Sequence, residues 1–386
     1  MKNTSEKYLH IISFDIPFPA NYGGVIDVFY KLKHLHNQGI NIILHCFRYG
    51  NRHEEAELLK YCRGVHYYDR KSGFFQQLSI TPFIVKSRTN DLLLNNLMAD
   101  DYPILFEGLH SCGYLDHPAL RNRFKVYRES NIEHHYYQHL AKSTRRFSEK
   151  IFFTIESIRL RLFQKKLQHS NLMLAVSKAD TDYLKVHFPN KNIQYLPSFH
   201  PNDSITSIQG TGDYALYHGK LSVAENLIAA EYLVKEVFAQ NSHKFIIAGM
   251  NPPRELKKLV SQHKNIELIE NPDDERLFNL IANAHMNVLV TFQPTGLKLK
   301  LLNTLFKGRY CLVNPAMLAG TDLSSFCEVA ENTLEMVQMI ENLFTRSFDS
   351  NELAKRRNLL SAGFSNAENA KKLTELIFGK NSEHLA

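Results

Sequence analysis

Residues 295–303 read Thr-Gly-Leu-Lys-Leu-Lys-Leu-Leu-Asn, reached from an apolar run through Gln293-Pro294 and opening a pattern of helical period. A glycine and two lysines at a helix N-terminus supply backbone N–H groups, the positive end of the helix dipole and mobile cations. Together these suit a diphosphate. Leu297, Leu301 and Leu302 can face a core while Lys298 and Lys300 point elsewhere; the bland alternative is two solvated surface lysines. A second cationic turn, Tyr217-His218-Gly219-Lys220-Leu221-Ser222, follows another strand-like run, so that Gly219 permits close backbone approach and Lys220 adds a charge. A third turn, Asn21-Tyr22-Gly23-Gly24, sits between the first strand and the first helix. It departs from the G-x-G-x-x-G dinucleotide pattern and can also be a tight turn and nothing more. Among 19 histidines, His110 stands out in Glu107-Gly108-Leu109-His110, directly after an apolar strand, where it can orient a ligand or serve structure. His134 and His135 fall in a helical stretch and are expected on different faces, with no His and carboxylate at i, i+4 that would hold a metal.

The elements that must position these residues alternate. Residues 8–14 form an apolar run, 16–24 are rich in Pro and Gly, 25–37 have helical period and 40–47 are apolar again, with Gly39 where a helix should end. Further strands are expected at 65–68, 104–106, 124–127 and 172–176, with a long helical stretch between the last two. Ser177-Lys178-Ala179-Asp180 has the form of a capping box. Residues 198–212 turn polar and breaker-rich and are expected as a linker between residues 1–197 and 213–365. Beyond it, strands at 214–217, 244–248, 266–269, 287–290 and 310–313 alternate with helices at 225–238, 253–262, 273–284 and 297–306. Residues from 333 onward are helical, and 366–386 are expected as a helix that returns to the N-terminal half. Alternating strands and helices imply parallel sheets covered on both faces. The fold class is therefore α/β, with two Rossmann-like domains facing each other across a central cleft where strand carboxyl ends meet a ligand.

Composition bounds the function. The chain has 386 residues, 44% hydrophobic and 22% charged, which is long enough for two domains and too apolar for general disorder. No apolar run approaches the ~20 residues of a membrane span. The apolar N-terminal run is interrupted by Asp15 and reads as a strand, not a secretory leader. Five scattered cysteines without C-x-x-C spacing fit reduced thiols and no zinc site, so the chain is read as cytoplasmic. A net charge of +7 favours anionic partners without choosing among them. Residues 142–166 interleave Lys142, Arg145, Arg146, Lys150, Arg159, Arg161 and Lys165 with aromatic and aliphatic residues. Such a helix can lie at the inner face of an anionic membrane, or it can be core-packed with a solvated basic face; no nucleic-acid module surrounds it.

Taken in order, residues 17–29, Asn131-Ile132-Glu133-His134-His135-Tyr136-Tyr137, Ala175-Val176-Ser177, Gly219-Lys220-Leu221-Ser222 and 296–303 resemble the family 4 retaining glycosyltransferases, over nearly the whole chain. The resemblance implies a GT-B architecture, with acceptor mainly in the first domain and sugar nucleotide mainly in the second. It implies a hexose, mannose among the candidates, moved from a nucleotide-diphosphate sugar to a saccharide or lipid-linked saccharide in surface polysaccharide synthesis. No cofactor and no metal are expected, because lysines and helix N-termini offset the charge on the departing diphosphate. Carried onto this chain, the donor site would comprise Gly23, Gly24, Gly219, Lys220, Gly296, Lys298, Lys300 and Asn303. The acceptor site would comprise Asn131 and Glu133, and His110, Ser130 and Lys300 are the candidate catalytic residues.

This chain also departs from the family. The two glutamates that the family often carries with seven residues between them are replaced at Thr295 and Asn303, the histidine that commonly precedes Asn-Ile-Glu is Ser130, and the second cation of the Gly-Lys-Leu-Ser loop is Glu225. Asn303 can still accept a hydrogen bond from a hydroxyl, though a weaker one than a carboxylate accepts. A non-catalytic relative that binds saccharide or a partner protein is the alternative. An epimerase would need a more evident set of acids and bases.

Overall fold

The computed structural model describes residues 6–71, 73, 79–144, 146–292, 299–359 and 363–379. They form two compact units, Met1–Phe199 together with Asn366–Ala386, and His200–Ser365.

The first unit contains β1 (Lys7–Ile12), α1 (Gly23–Asn37), β2 (Ile40–Arg48), β3 (Gly64–Asp69), α2 (Asp91–Leu97), β4 (Ile104–Glu107) and β5 (Lys125–Glu129). It continues through α3 (Glu133–Ser143), α4 (Phe147–Phe163), β6 (Leu172–Ala175), α5 (Lys178–His187) and β7 (Asn192–Tyr195). The seven strands make one parallel sheet in the order β3-β2-β1-β4-β5-β6-β7. Both of its faces are apolar, because alternate residues of β1 join different cores. Leu9 and Ile11 pack with Val28, Leu32 and Leu35 of α1, while Ile12 packs with Phe106, Leu160 and Phe163. Burial on both faces is what forces helices onto each side of a parallel sheet.

The second unit contains β8 (Tyr214–Lys220), α6 (Ala224–Tyr232), β9 (Lys244–Met250), α7 (Arg254–Val260), β10 (Ile266–Glu270), α8 (Asp274–Asn283) and β11 (Met286–Leu289). Then come α9 (Leu299–Lys307), β12 (Tyr310–Val313), β13 (Glu328–Val329), α10 (Thr333–Phe344) and α11 (Ser350–Leu359). Its six strands are again parallel, in the order β10-β9-β8-β11-β12-β13. In each sheet the strand order reverses beside the unit's first strand, between β1 and β4 and between β8 and β11. Such a reversal opens a crevice at the strands' carboxyl ends.

Most expected elements lie within a few residues of their observed limits. Two edge strands lacked an apolar run: β7 buries only Ile193 well, and β13 has two half-buried residues. An edge strand has one neighbour and needs less apolar surface. Ser177 caps α5 as its sequence suggested, accepting the Asp180 N–H at 3.0 Å. The rings of His134 and His135 lie tilted to each other at 4.2 Å between centroids, and both are near the Tyr183 ring. Residues 198–212 are not a solvated tether. Phe199 is fully buried in the first unit's core, while Gly210 exchanges backbone hydrogen bonds with Phe348 in the second. The last helix, α12 (Asn366–Phe378), adds Ala370, Leu373 and Ile377 to the first unit's core.

Four charged side chains lie inside the first unit. Lys31 Nζ donates to Asp27 Oδ2 at 3.0 Å and to Glu107 Oε1 at 2.7 Å, and Arg128 reaches Asp27 Oδ1 at 3.5 Å. None is more than 2% exposed. The chain itself supplies further partners: Asp27 accepts the Phe199 N–H at 2.7 Å, and Arg128 donates to the carbonyls of Leu196 and Pro197. Burial alone would raise Asp27, but Lys31, Arg128 and the Phe199 N–H hold it below the usual carboxylate range. Glu107, with Lys31 as its direct partner, is lifted by burial. Removing one member leaves a buried charge uncompensated. Lys31→Met is expected to cost about 3–5 kcal/mol in urea denaturation, whereas the exposed Lys371→Met should stay within about 0.5 kcal/mol. Equal midpoints for the two variants would show that the quartet does not hold the unit together.

Candidate functional site

In the first unit the carboxyl ends of β1, β4 and β5 bring several of the expected residues together. Glu107 ends β4, and Gly108 then turns the chain at φ 69, a conformation that a side chain would strain. A Cβ there would also lie 3.1 Å from His110 Nδ1 and 3.9 Å from Ser130 Oγ, so His110 and Ser130 share one small space. Glu133 opens α3 with its Oε1 3.7 Å from His110 Nδ1. The Phe14 ring covers the imidazole at 5.3 Å between centroids. Gly24, in the first turn of α1, lies so close to Phe14 that a Cβ would approach its ring carbon to 2.5 Å. Packing therefore accounts for a glycine at 24 without a ligand. Asn131 follows, with its N–H donating to Glu129 Oε1 at 3.2 Å.

This edge carries little net charge at its centre. Burial pushes His110 well below the usual imidazole range, and the nearby Arg88 and Arg70 push the same way. Burial lifts the Glu133 carboxyl to about 8, with Arg88 offsetting part of the rise. At neutral pH the imidazole is uncharged and the carboxyl holds its proton. Arg88 itself is engaged with backbone, donating to the carbonyls of Phe14 and Ile84 at 2.6 Å each. The result is a set of neutral donors and acceptors beside an aromatic ring, which suits a polyhydroxylated ligand better than an anion.

The second unit's edge has the opposite character. Gly219 and Lys220 end β8, so the expected loop is in fact the last part of the strand. Asn226, two residues into α6, organises that end: its Nδ2 donates to the Lys220 carbonyl at 3.1 Å and its Oδ1 accepts from Lys300 Nζ at 3.1 Å. Lys300 also sits 5.3 Å above the Tyr217 ring. Asn226 thus ties the backbone at Lys220, which ends β8, to the ammonium of Lys300 on α9 at the crevice between β8 and β11. His218 beside them is pushed down to about 3 by burial and by Lys300, so it adds no charge. Glu225 accepts a short hydrogen bond from Thr291 at the end of β11. Asn303 is half-buried, and its Oδ1 accepts from Asn202 Nδ2 at 2.8 Å. Gly296 and Lys298 lie outside the described residues. Gly23 begins α1, whose N-terminus has no side-chain cap. Among the described residues no cluster of His, Cys, Asp or Glu could hold a metal ion, and no helix is long and apolar enough to cross a membrane.

No protein-family model matches the chain. A curated relative, an uncharacterized 44.6 kDa protein in the cps region of Klebsiella pneumoniae, is 27% identical over 322 residues, 77% of this chain and 81% of that one. Among solved structures, the chain superposes on WaaG, a glycosyltransferase involved in lipopolysaccharide biosynthesis, with a TM-score of 0.61 at 11% identity, covering 96% of this chain and 100% of that one. It superposes on HepE of Anabaena, solved with UDP and glucose, at 0.63 and 11%, covering 96% and 99%. The UDP-forming trehalose-phosphate synthase of Burkholderia xenovorans, solved with glucose-6-phosphate, gives 0.62 and 11% over the same shares, 96% and 99%. The fold is that of the GT-B glycosyltransferases. Two parallel α/β sheets of seven and six strands carry it here.

Sequence reasoning missed Phe14, Arg88 and Asn226. Arg88 meets Phe14 across 74 residues of chain, a contact that no local pattern announces. Asn226 left a faint signal, since it lies in the first turn of the helix that follows the Gly219-Lys220 end. Because Glu133 keeps its proton in the folded chain up to about pH 8 and loses it near 4.5 when unfolded, stability should fall as pH rises through that window. Glu133→Gln should flatten the dependence of melting temperature on pH between 5 and 8. An unchanged slope would mean that this carboxyl is ionised in the folded protein.

Proposed function

We propose that the chain is a glycosyltransferase of the family 4 type, moving a hexose from a nucleoside-diphosphate sugar to a saccharide or lipid-linked saccharide, with retention at the anomeric carbon and without a metal. The observation that carries this reading is the Lys300 ammonium, held by Asn226 Oδ1 and over the Tyr217 ring at the crevice of the second sheet, beside the Lys220 end of β8. A fixed cation there would offset the charge that builds on a departing diphosphate, most strongly when bond breaking is advanced, and Lys220 would add a second charge at the same edge. Gly296 and Lys298 would add to this donor site, with Asn303. The uncharged edge of the first unit, with His110, Ser130, Asn131 and Glu133, would receive hydroxyls of acceptor and transferred sugar. His110 and Ser130 would orient the reacting groups, and Gly23 and Gly24 would bring backbone N–H groups to the ligand.

The neighbours in fold support a nucleotide sugar as donor, since the structure of HepE was solved with UDP and glucose. The relative in a cps region supports a setting in surface polysaccharide synthesis. Mannose is the first sugar to test, on the resemblance alone. The opposing reading, a non-catalytic relative that binds saccharide or a partner protein, is favoured by one observation: Asn303 stands where the family often has a carboxylate, and its oxygen already accepts from Asn202.

The deciding measurement is the melting temperature of the full chain with UDP, GDP, ADP and their hexose conjugates, repeated on Lys300→Ala. A ligand at 100 times its Kd stabilises the folded state by about 2.7 kcal/mol. A shift with one nucleotide family that is lost in the variant is the expected result and names the base. No shift with any of them would favour the non-catalytic reading.

A further inference from the structure

The helix α4 is apolar on two faces, and the first unit covers one of them. Phe153 meets Tyr137 of α3, Phe152 meets Phe83, and Leu160 and Phe163 enter the core beneath the sheet. Glu156 and Ser157 complete this inner face, Glu156 accepting the Phe83 N–H at 2.7 Å and Ser157 Oγ donating to the His134 carbonyl at 2.9 Å. The opposite face carries Phe147, Ile151, Ile155, Ile158 and Leu162, which are 78%, 45%, 44%, 58% and 59% exposed. Their spacing of four, four, three and four residues places all five within an arc of about 80° on a helix of 3.6 residues per turn. Isolated exposed leucines are ordinary, but a five-residue stripe along one helix is not.

What surrounds the stripe says what can cover it. Lys150 and Arg161 border it on one side and Arg159 on the other, and Lys142, Arg146 and Lys165 lie near its ends. The two acids of the helix pair locally: Glu149 accepts from Thr144 and Arg146, and buried Glu156 accepts from Arg159 at 2.8 Å, so that the charge of the rim rests chiefly on the Lys150 and Arg161 side. A second copy of the chain on this stripe would set basic borders against basic borders, which is unfavourable. An anionic surface answers both the apolar stripe and its rim. Placement agrees. Ser157 is level with His134 at the start of α3, so residues 147–156 run alongside α3 past the carboxyl edge of the sheet, on the side of His110 and Glu133.

We propose that this face of α4 docks on an anionic lipid bilayer, with the five apolar side chains entering the acyl boundary and the basic rim meeting headgroup phosphates. The inference stands on the faces of the helix and does not depend on the sugar-transfer reading, so vesicle binding and nucleotide binding fail separately.

The full chain is sedimented with vesicles of phosphatidylcholine alone and of phosphatidylcholine with phosphatidylglycerol. Binding is expected to the anionic vesicles only and to weaken with salt. Ile155→Ser with Ile158→Ser should reduce it by about tenfold or more. Lys150→Glu with Arg161→Glu should reduce both the binding and its sensitivity to salt. Val186→Ser, at a more exposed apolar residue on α5, 78% exposed, should leave it unchanged. All of these side chains are exposed, and an unaltered melting temperature confirms folding of each variant. Absence of binding to anionic vesicles, equal loss with Val186→Ser, or a dimer that the isoleucine substitutions dissociate would each overturn the proposal.

Discussion

Inside the first unit, two carboxylates and two cations exclude water by pairing with one another. Ions cannot be buried singly in a medium of low dielectric constant, so each member of the Asp27, Lys31, Glu107 and Arg128 quartet requires the others in place. They come from α1, β4 and β5, and the backbone of 196–199 supplies further donors and acceptors. The constraint is directional as well as energetic, because a hydrogen-bonded ion pair tolerates less displacement than an apolar contact. Each element in the network leads directly to the candidate site. Asp27 lies one turn after Gly23 and Gly24, Glu107 precedes the Gly108 turn to His110, and Arg128 precedes Glu129, Ser130 and Asn131.

From that fixed base the two units present unlike chemistry at equivalent places. In both, the crevice forms where strand order reverses, since neighbouring loops leave the sheet in opposite directions there. In the first unit burial holds an imidazole and a carboxyl uncharged, and backbone carbonyls engage the guanidinium of Arg88. In the second, an asparagine joins the Lys300 ammonium to the backbone carbonyl of Lys220. One fold repeated in one chain thus yields an uncharged edge and a cationic edge, and the difference lies in a handful of side chains at strand ends.

Helix α4 shows the limits of periodicity. Its sequence is apolar nearly all round, which in isolation means either complete burial or an unfilled face. The expectation of a core-packed helix with a solvated basic face describes the inner half and the borders. It misses the outer stripe of Phe147, Ile151, Ile155, Ile158 and Leu162, because exposure depends on what the remainder of the chain places opposite the helix.

The sequence by itself determined the class of fold and most of its elements. Strands buried on both faces must be near-continuous apolar runs, and the helices between them must be amphipathic, so β1, β2, β8, β9 and β12 were readable from local pattern alone. The cap at Ser177 and the cationic residues Lys220 and Lys300 were readable for the same reason, being local in sequence. Contacts between distant positions were decided by tertiary structure alone. Examples are the reach of Arg88 to Phe14, the hold of Asn226 on Lys300, the pairing of Asn303 with Asn202, and the buried quartet. Charge state belongs with them. Glu133 and His110 are ordinary titratable residues in the sequence; desolvation by the packed chain raises one pKa and, with Arg88 and Arg70, lowers the other.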